Sequence, residues 1–185
     1  LTQIPLMKSF PLVTATLLAS GLISSSSNTQ ALDWPSWGGG DLGRNMYSPV
    51  RGLPDVFDAG KPKSGSDDID LATTKNVKWA VKLGSQSYAN PTVYHGKVFV
   101  GTNNESPRDK RHQGDRSILM CFDEKSGEFL WQLVVPKLAS GKVNDWESLG
   151  LISSPTVEGD RVYLVTSRCE GMCLDVNGMA NGNDG

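Results

Sequence analysis

The strongest constraint on this chain is that it repeats one strand-turn-strand pattern. Residues 91–131 open with Pro91-Thr92-Val93-Tyr94, turn at His95-Gly96 and continue as an apolar stretch through Thr102. They close with Ile118-Leu119-Met120-Cys121-Phe122, a turn at Asp123-Glu124-Lys125-Ser126-Gly127, and Glu128-Phe129-Leu130-Trp131. Short apolar runs bounded by Gly, Asp and Ser read as strands joined by tight turns. A second copy follows. Pro155-Thr156-Val157 repeats the opening 64 residues on, and Cys173-Leu174-Asp175 repeats Cys121-Phe122-Asp123 at a spacing of 52, so the first copy carries a loop 12 residues longer. Trp79 and Trp131 are also 52 apart, which marks each as a wedge in a repeated strand. A repeat of roughly 50–60 residues built from short strands predicts blades of a β-propeller.

The expected fold is therefore all-β, with four-stranded blades over residues 77–185. About two blades are legible, whereas a closed toroid needs at least about four. The chain accordingly reads as the N-terminal fragment of a longer protein.

Residues 1–31 read as a secretory signal peptide. Met7-Lys8 supplies a short basic region, Pro11 to Ile23 an apolar stretch, and Thr29 and Ala31 small residues at the cleavage positions. The apolar stretch is too short for an ordinary membrane-spanning helix. The expected location is periplasmic or otherwise exported, with no transmembrane anchor after signal removal. A formal net charge of -2 argues against a nucleic-acid partner.

Residues 32–76 form an N-terminal arm and a segment rich in Gly, Pro and Ser. The arm carries Asp33-Trp34-Pro35-Ser36-Trp37-Gly38-Gly39-Gly40-Asp41, whose two tryptophans suit anchoring on an apolar surface. Residues 61–68 predict a polar surface insertion. From Val77 to Leu83, apolar residues alternate with Lys78, Ala80 and Lys82, the period of a half-buried strand.

The first copy is interrupted at residues 103–116 by a polar loop of mixed charge. Loops on a rigid sheet are common places for function. Arg108, Arg111 and His112 are its candidates for meeting an anionic group on a protein partner. Elsewhere the residues exclude more than they assign. The three cysteines fit no metal cluster. Cys121 and Cys173 read as core positions, and a Cys169–Cys173 bridge needs a turn, because four residues of extended strand span roughly 13 Å. Asp175 does not start a calcium loop, since Ala180 stands where the glycine is required. Ser153-Ser154 lacks the glycines of a nucleophile elbow. No catalytic or metal-binding residue is assigned, and no cofactor-binding residue is identified.

The arm motif at 33–41, followed by Tyr47-Ser48-Pro49, resembles the opening segment of exported quinoprotein alcohol and glucose dehydrogenases. Cys121-Phe122-Asp123 through Ser126-Gly127 to Trp131 is similar to the repeat of the pyrroloquinoline-quinone-type propeller superfamily. That resemblance implies an exported propeller with a binding or scaffolding role. The alternative it implies is the N-terminal part of a quinone-dependent alcohol or sugar dehydrogenase, with pyrroloquinoline quinone and calcium on the propeller axis. The paired adjacent cysteines of those enzymes have no counterpart here.

Overall fold

The computed structural model describes residues 32–40, 46–140 and 146–180. The signal-peptide expectation for 1–31 lies outside the described residues, as do Asp41 and the Asn-Gly run at 181–185.

A small hairpin of β1 (Lys61–Pro62) and β2 (Ile69–Asp70) comes first. Asp70 caps the short 3-10 turn Leu71–Thr73 that follows, accepting from the Ala72 amide. The expected surface insertion at 61–68 is thus an exposed hairpin. A four-stranded meander follows, of β3 (Thr92–Tyr94), β4 (Lys97–Asn103), β5 (Arg116–Asp123) and β6 (Phe129–Pro136). Another meander contains β7 (Thr156–Glu158), β8 (Arg161–Val165) and β9 (Gly171–Asp175). Every strand pair is antiparallel.

The propeller expectation is overturned. The described residues form three separate flat antiparallel sheets of two, four and three strands, and none is closed or curled as propeller blades require. The quinoprotein resemblance falls with it. The exported propeller scaffold loses its architecture, and so does the dehydrogenase alternative with its quinone and calcium. The cause is physical. The repeated residues specify hairpins and strand faces, which any antiparallel meander needs. Closure is a long-range property that those local signals do not encode. The run at Phe129–Pro136 completes the four-stranded sheet as β6.

The unbroken apolar run of β5, Ile118 to Phe122, follows from its burial on both faces. Leu119 and Cys121 join Phe99 in a cluster with Leu151, Val157, Val162 and Leu164, which ties the four-stranded sheet to the three-stranded one. Ile118, Met120 and Phe122 face the other way with Val100, against Val81 and Leu83. Full burial of a side chain such as Phe99 stabilises by roughly 1.5–3 kcal/mol. The covering segment at 77–83 keeps the expected alternation of exposure, but it is not laddered into a sheet.

The arm at Trp34 closes one side of this pair. Trp34 and Val93 exchange backbone hydrogen bonds of 2.7 and 2.9 Å along β3, and the Pro35 carbonyl accepts from the Val157 amide of β7 at 2.7 Å. One short segment therefore occupies the outer edges of β3 and β7. The opposite edges, those of β6 and β9, receive no strand among the described residues.

Candidate functional site

The site lies at the far edge of β9. In the β8–β9 pair the Thr166 amide donates to the Glu170 carbonyl and the Val176 amide to the Asp160 carbonyl. Antiparallel pairing alternates hydrogen-bonded and non-bonded positions. Val162 and Leu164 therefore bond Leu174 and Met172, and the backbone groups of Gly171 and Cys173 point away from β8 in the sheet plane.

A cleft of about 580 Å³ wraps this edge. Trp131 and Leu133 of β6 line one wall, and Leu174, Cys173 and Asp175 of β9 line the other, with Gly178 and Met179 beyond the turn. Cys173 and Asp175 project from one face of β9 and Leu174 from the other. A space that touches all three must run along the strand's free edge. Its size falls in the range of roughly 300–1,000 Å³ that holds small ligands or a short piece of chain.

Local chemistry fixes the cleft's end. Asp175 accepts from the Asn177 amide through its side chain and from the Gly178 amide through its carbonyl, closing a turn in which Gly178 has φ of 59°. Trp131 sits on that turn, its Nε1 donating 3.1 Å to the Val176 carbonyl. Arg161 lines the cleft between two carboxylates, 3.4 Å from Asp160 and 3.9 Å from Asp175. Tyr163 lies opposite Cys173 across β8 and β9. The negative charge of an ionised Cys173 is the main influence raising the Tyr163 hydroxyl above its usual range. The surroundings are thus an apolar floor with a charged rim and exposed backbone donors and acceptors. They can ladder an extended chain.

The cysteines divide. Cys121 is buried, and burial pushes its thiol up to about 12. Cys173 is exposed, contrary to its expected core position, because the face that the second sheet lays over Cys121 has no cover at Cys173. Both Cys169 and Cys173 are free thiols. Among the described residues no group of three His, Cys, Asp or Glu side chains lies close enough to hold a metal.

The sequence-predicted loop at 103–116 lies elsewhere and is tied into itself. Arg108 donates 2.7 Å to the Lys82 carbonyl, and its guanidinium stacks over Phe122 and Phe129, 5.4 and 4.9 Å from the ring centres. Arg111 forks onto Asp109 at 2.7–3.1 Å, which holds that carboxyl down at about 2. His112 lies 3.8 Å from the same carboxylate, and its carbonyl accepts from the Asn104 amide. The structure gathers Arg111 and His112 around one acid and sends Arg108 to the sheet. At the loop's base, Ser148 donates to Glu105 and lowers its pKa, while its amide donates to Asp115.

Sequence reasoning missed the cleft residues Leu133, Arg161, Leu174 and Met179. No protein-family model matches the chain, and no curated protein matches it in sequence.

Proposed function

We propose that this protein is a polypeptide-binding module that takes an extended segment as an added strand along β9. The observation that carries the reading is the cleft along an edge whose Gly171 and Cys173 backbone groups face outward. An edge strand offers a row of main-chain donors and acceptors, and strand addition draws affinity from them and specificity from alternate side-chain pockets. Apolar walls from Leu133 and Leu174 would exclude water from those hydrogen bonds. Calorimetric titration with soluble peptides that alternate valine or threonine with lysine tests it. Saturable one-to-one binding is expected, and it should vanish when alternate peptide amides are N-methylated. Equal binding of the methylated peptides, or none of either kind, contradicts the reading.

Loop 103–116 is a second proposed contact for a protein partner. The rigidity that Asp109 and Asn104 impart favours it, since an ordered loop loses less entropy on binding. Export of the chain through residues 1–31 is likewise proposed, on the basic and apolar pattern of Met7 to Ile23. N-terminal sequencing of the secreted protein checks it, with cleavage after Ala31 expected.

A further inference from the structure

The four-stranded sheet shows what fits beside β9, because β4 and β5 have the same pairing as β8 and β9. Lys97, Val98 and Phe99 oppose Asp123, Phe122 and Cys121, just as Arg161, Val162 and Tyr163 oppose Asp175, Leu174 and Cys173. Both hairpins also carry the same hydrogen bond one residue beyond, from Glu124 to the Gly96 carbonyl and from Val176 to the Asp160 carbonyl. The edge of β5 that corresponds to the open edge of β9 is filled by β6, antiparallel, with Trp131 opposite Cys121.

We infer that the occupant of the β9 edge is an antiparallel strand patterned like β6, with an aromatic residue opposite Cys173 and apolar residues on either side entering the cleft. This rests on the strand-addition reading and adds direction, register and side-chain chemistry to it. In the four-stranded sheet, the residues of β6 on the face away from Trp131 include Phe129 and Val134, which pack with Phe122 and Ile118. The matching places beside β9 open toward Leu133, Leu174 and Met179, apolar walls suited to such side chains. The aromatic residue opposite Cys173 would lie on the outer face beside Tyr163, whose side chain is exposed there. A slip by one residue would exchange the two faces, turning the places of Phe129 and Val134 outward and the aromatic residue into the cleft.

Disulfide trapping reads the register. The probes are peptides with the sequence of residues 128–136 flanked by lysines, each carrying one cysteine at the position of Trp131, Gln132 or Val134, clear of the bulge at Leu130. The protein is the full chain with Cys169→Ser, leaving Cys173 as the exposed thiol. Residues opposed in a hydrogen-bonded antiparallel pair stand about 5.5 Å apart between α-carbons, within the usual span of a disulfide. Trapping through the Trp131 position should exceed the other two by about ten-fold, because Gln132 and Val134 lie on the other face of the strand. Comparable trapping at all three positions, with binding intact, overturns the register and leaves strand addition standing. Absence of both trapping and calorimetric binding overturns strand addition itself. A Cys173-linked dimer of the protein that forms as fast as the peptide adduct would make a second copy the occupant and overturn the proposed chemistry.

Discussion

Trp131 lies so close over Gly178 that a β-carbon on that glycine would come within 2.7 Å of the indole ring. The same relation holds between Trp79 and Gly127, also at 2.7 Å. Each indole donates to a carbonyl of the turn it covers, Trp79 to Glu124 at 2.8 Å and Trp131 to Val176 at 3.1 Å. A tryptophan from the preceding segment thus clamps the turn that follows β5 in the one sheet and β9 in the other. Gly178→Ala must both place a side chain at φ of 59° and displace the ring, at a cost of about 2–4 kcal/mol. Gly159→Ala has a similar φ of 60° with open space around it, so only the backbone cost of about 1–2 kcal/mol applies. Chemical denaturation of the two variants checks the difference.

Replacing Trp131 with Phe keeps an aromatic ring and removes the Nε1 donor. The lost hydrogen bond to Val176 is expected to cost about 0.5–1.5 kcal/mol. Because the clamp fixes one end of the cleft, peptide affinity should fall along with stability. A calorimetric comparison with wild type reads both.

Thiol labelling should separate the cysteines by environment. Cys169 and Cys173 are exposed and Cys121 is buried, so a thiol reagent near neutral pH should label two groups in the native protein and three after unfolding. Burial that lifts the Cys121 thiol to about 12 keeps it protonated and unreactive in the fold. Bound peptide should slow labelling at Cys173 and leave Cys169 unchanged.

Loop 103–116 should hold its structure well into acid. Hydrogen bonding from Arg111 lowers Asp109 from 3.8 to about 2, so its contribution is complete above the unfolded value. It is lost as pH falls through about 2. Following the Asp109 carboxyl by NMR should show that low midpoint, and Arg111→Gln should move it upward.

Arg108 is expected to matter for stability. Its guanidinium over Phe122 and Phe129 and its bond to the Lys82 carbonyl tie the loop to the sheet. Arg108→Ala should cost about 1–2 kcal/mol in thermal or chemical unfolding.

How much of this was legible depended on the range of each signal. The hairpins at His95-Gly96 and Glu158-Gly159-Asp160 and the turn at Asp123 to Gly127 are written in local turn residues. The structure places all three, with Asp123 accepting from the Ser126 amide at 2.7 Å and Gly127 at φ of 75°. Trp79 and Trp131 were readable as wedges because their spacing matched that of the cysteines. Sheet closure was not readable, since a strand's apolar pattern is the same in a blade and in a flat meander. The different fates of Cys121 and Cys173 were hidden for a related reason. Equivalent positions in a repeat share a strand register, but whether the next layer covers them is set by tertiary packing. Arg108, Arg111 and His112 stood out as charges in a loop, while their partners, such as the aromatic rings under Arg108, lie far off in sequence.

Amide hydrogen exchange at Cys173, measured with and without a strand-forming peptide, tests the central claim most directly. The Cys173 amide should exchange rapidly in the free protein, while the Leu174 amide, paired to β8, exchanges slowly. Saturating peptide should slow Cys173 and leave Leu174 nearly unchanged. A Cys173 amide already protected in the free protein, or one that peptide does not slow, would contradict strand addition at β9.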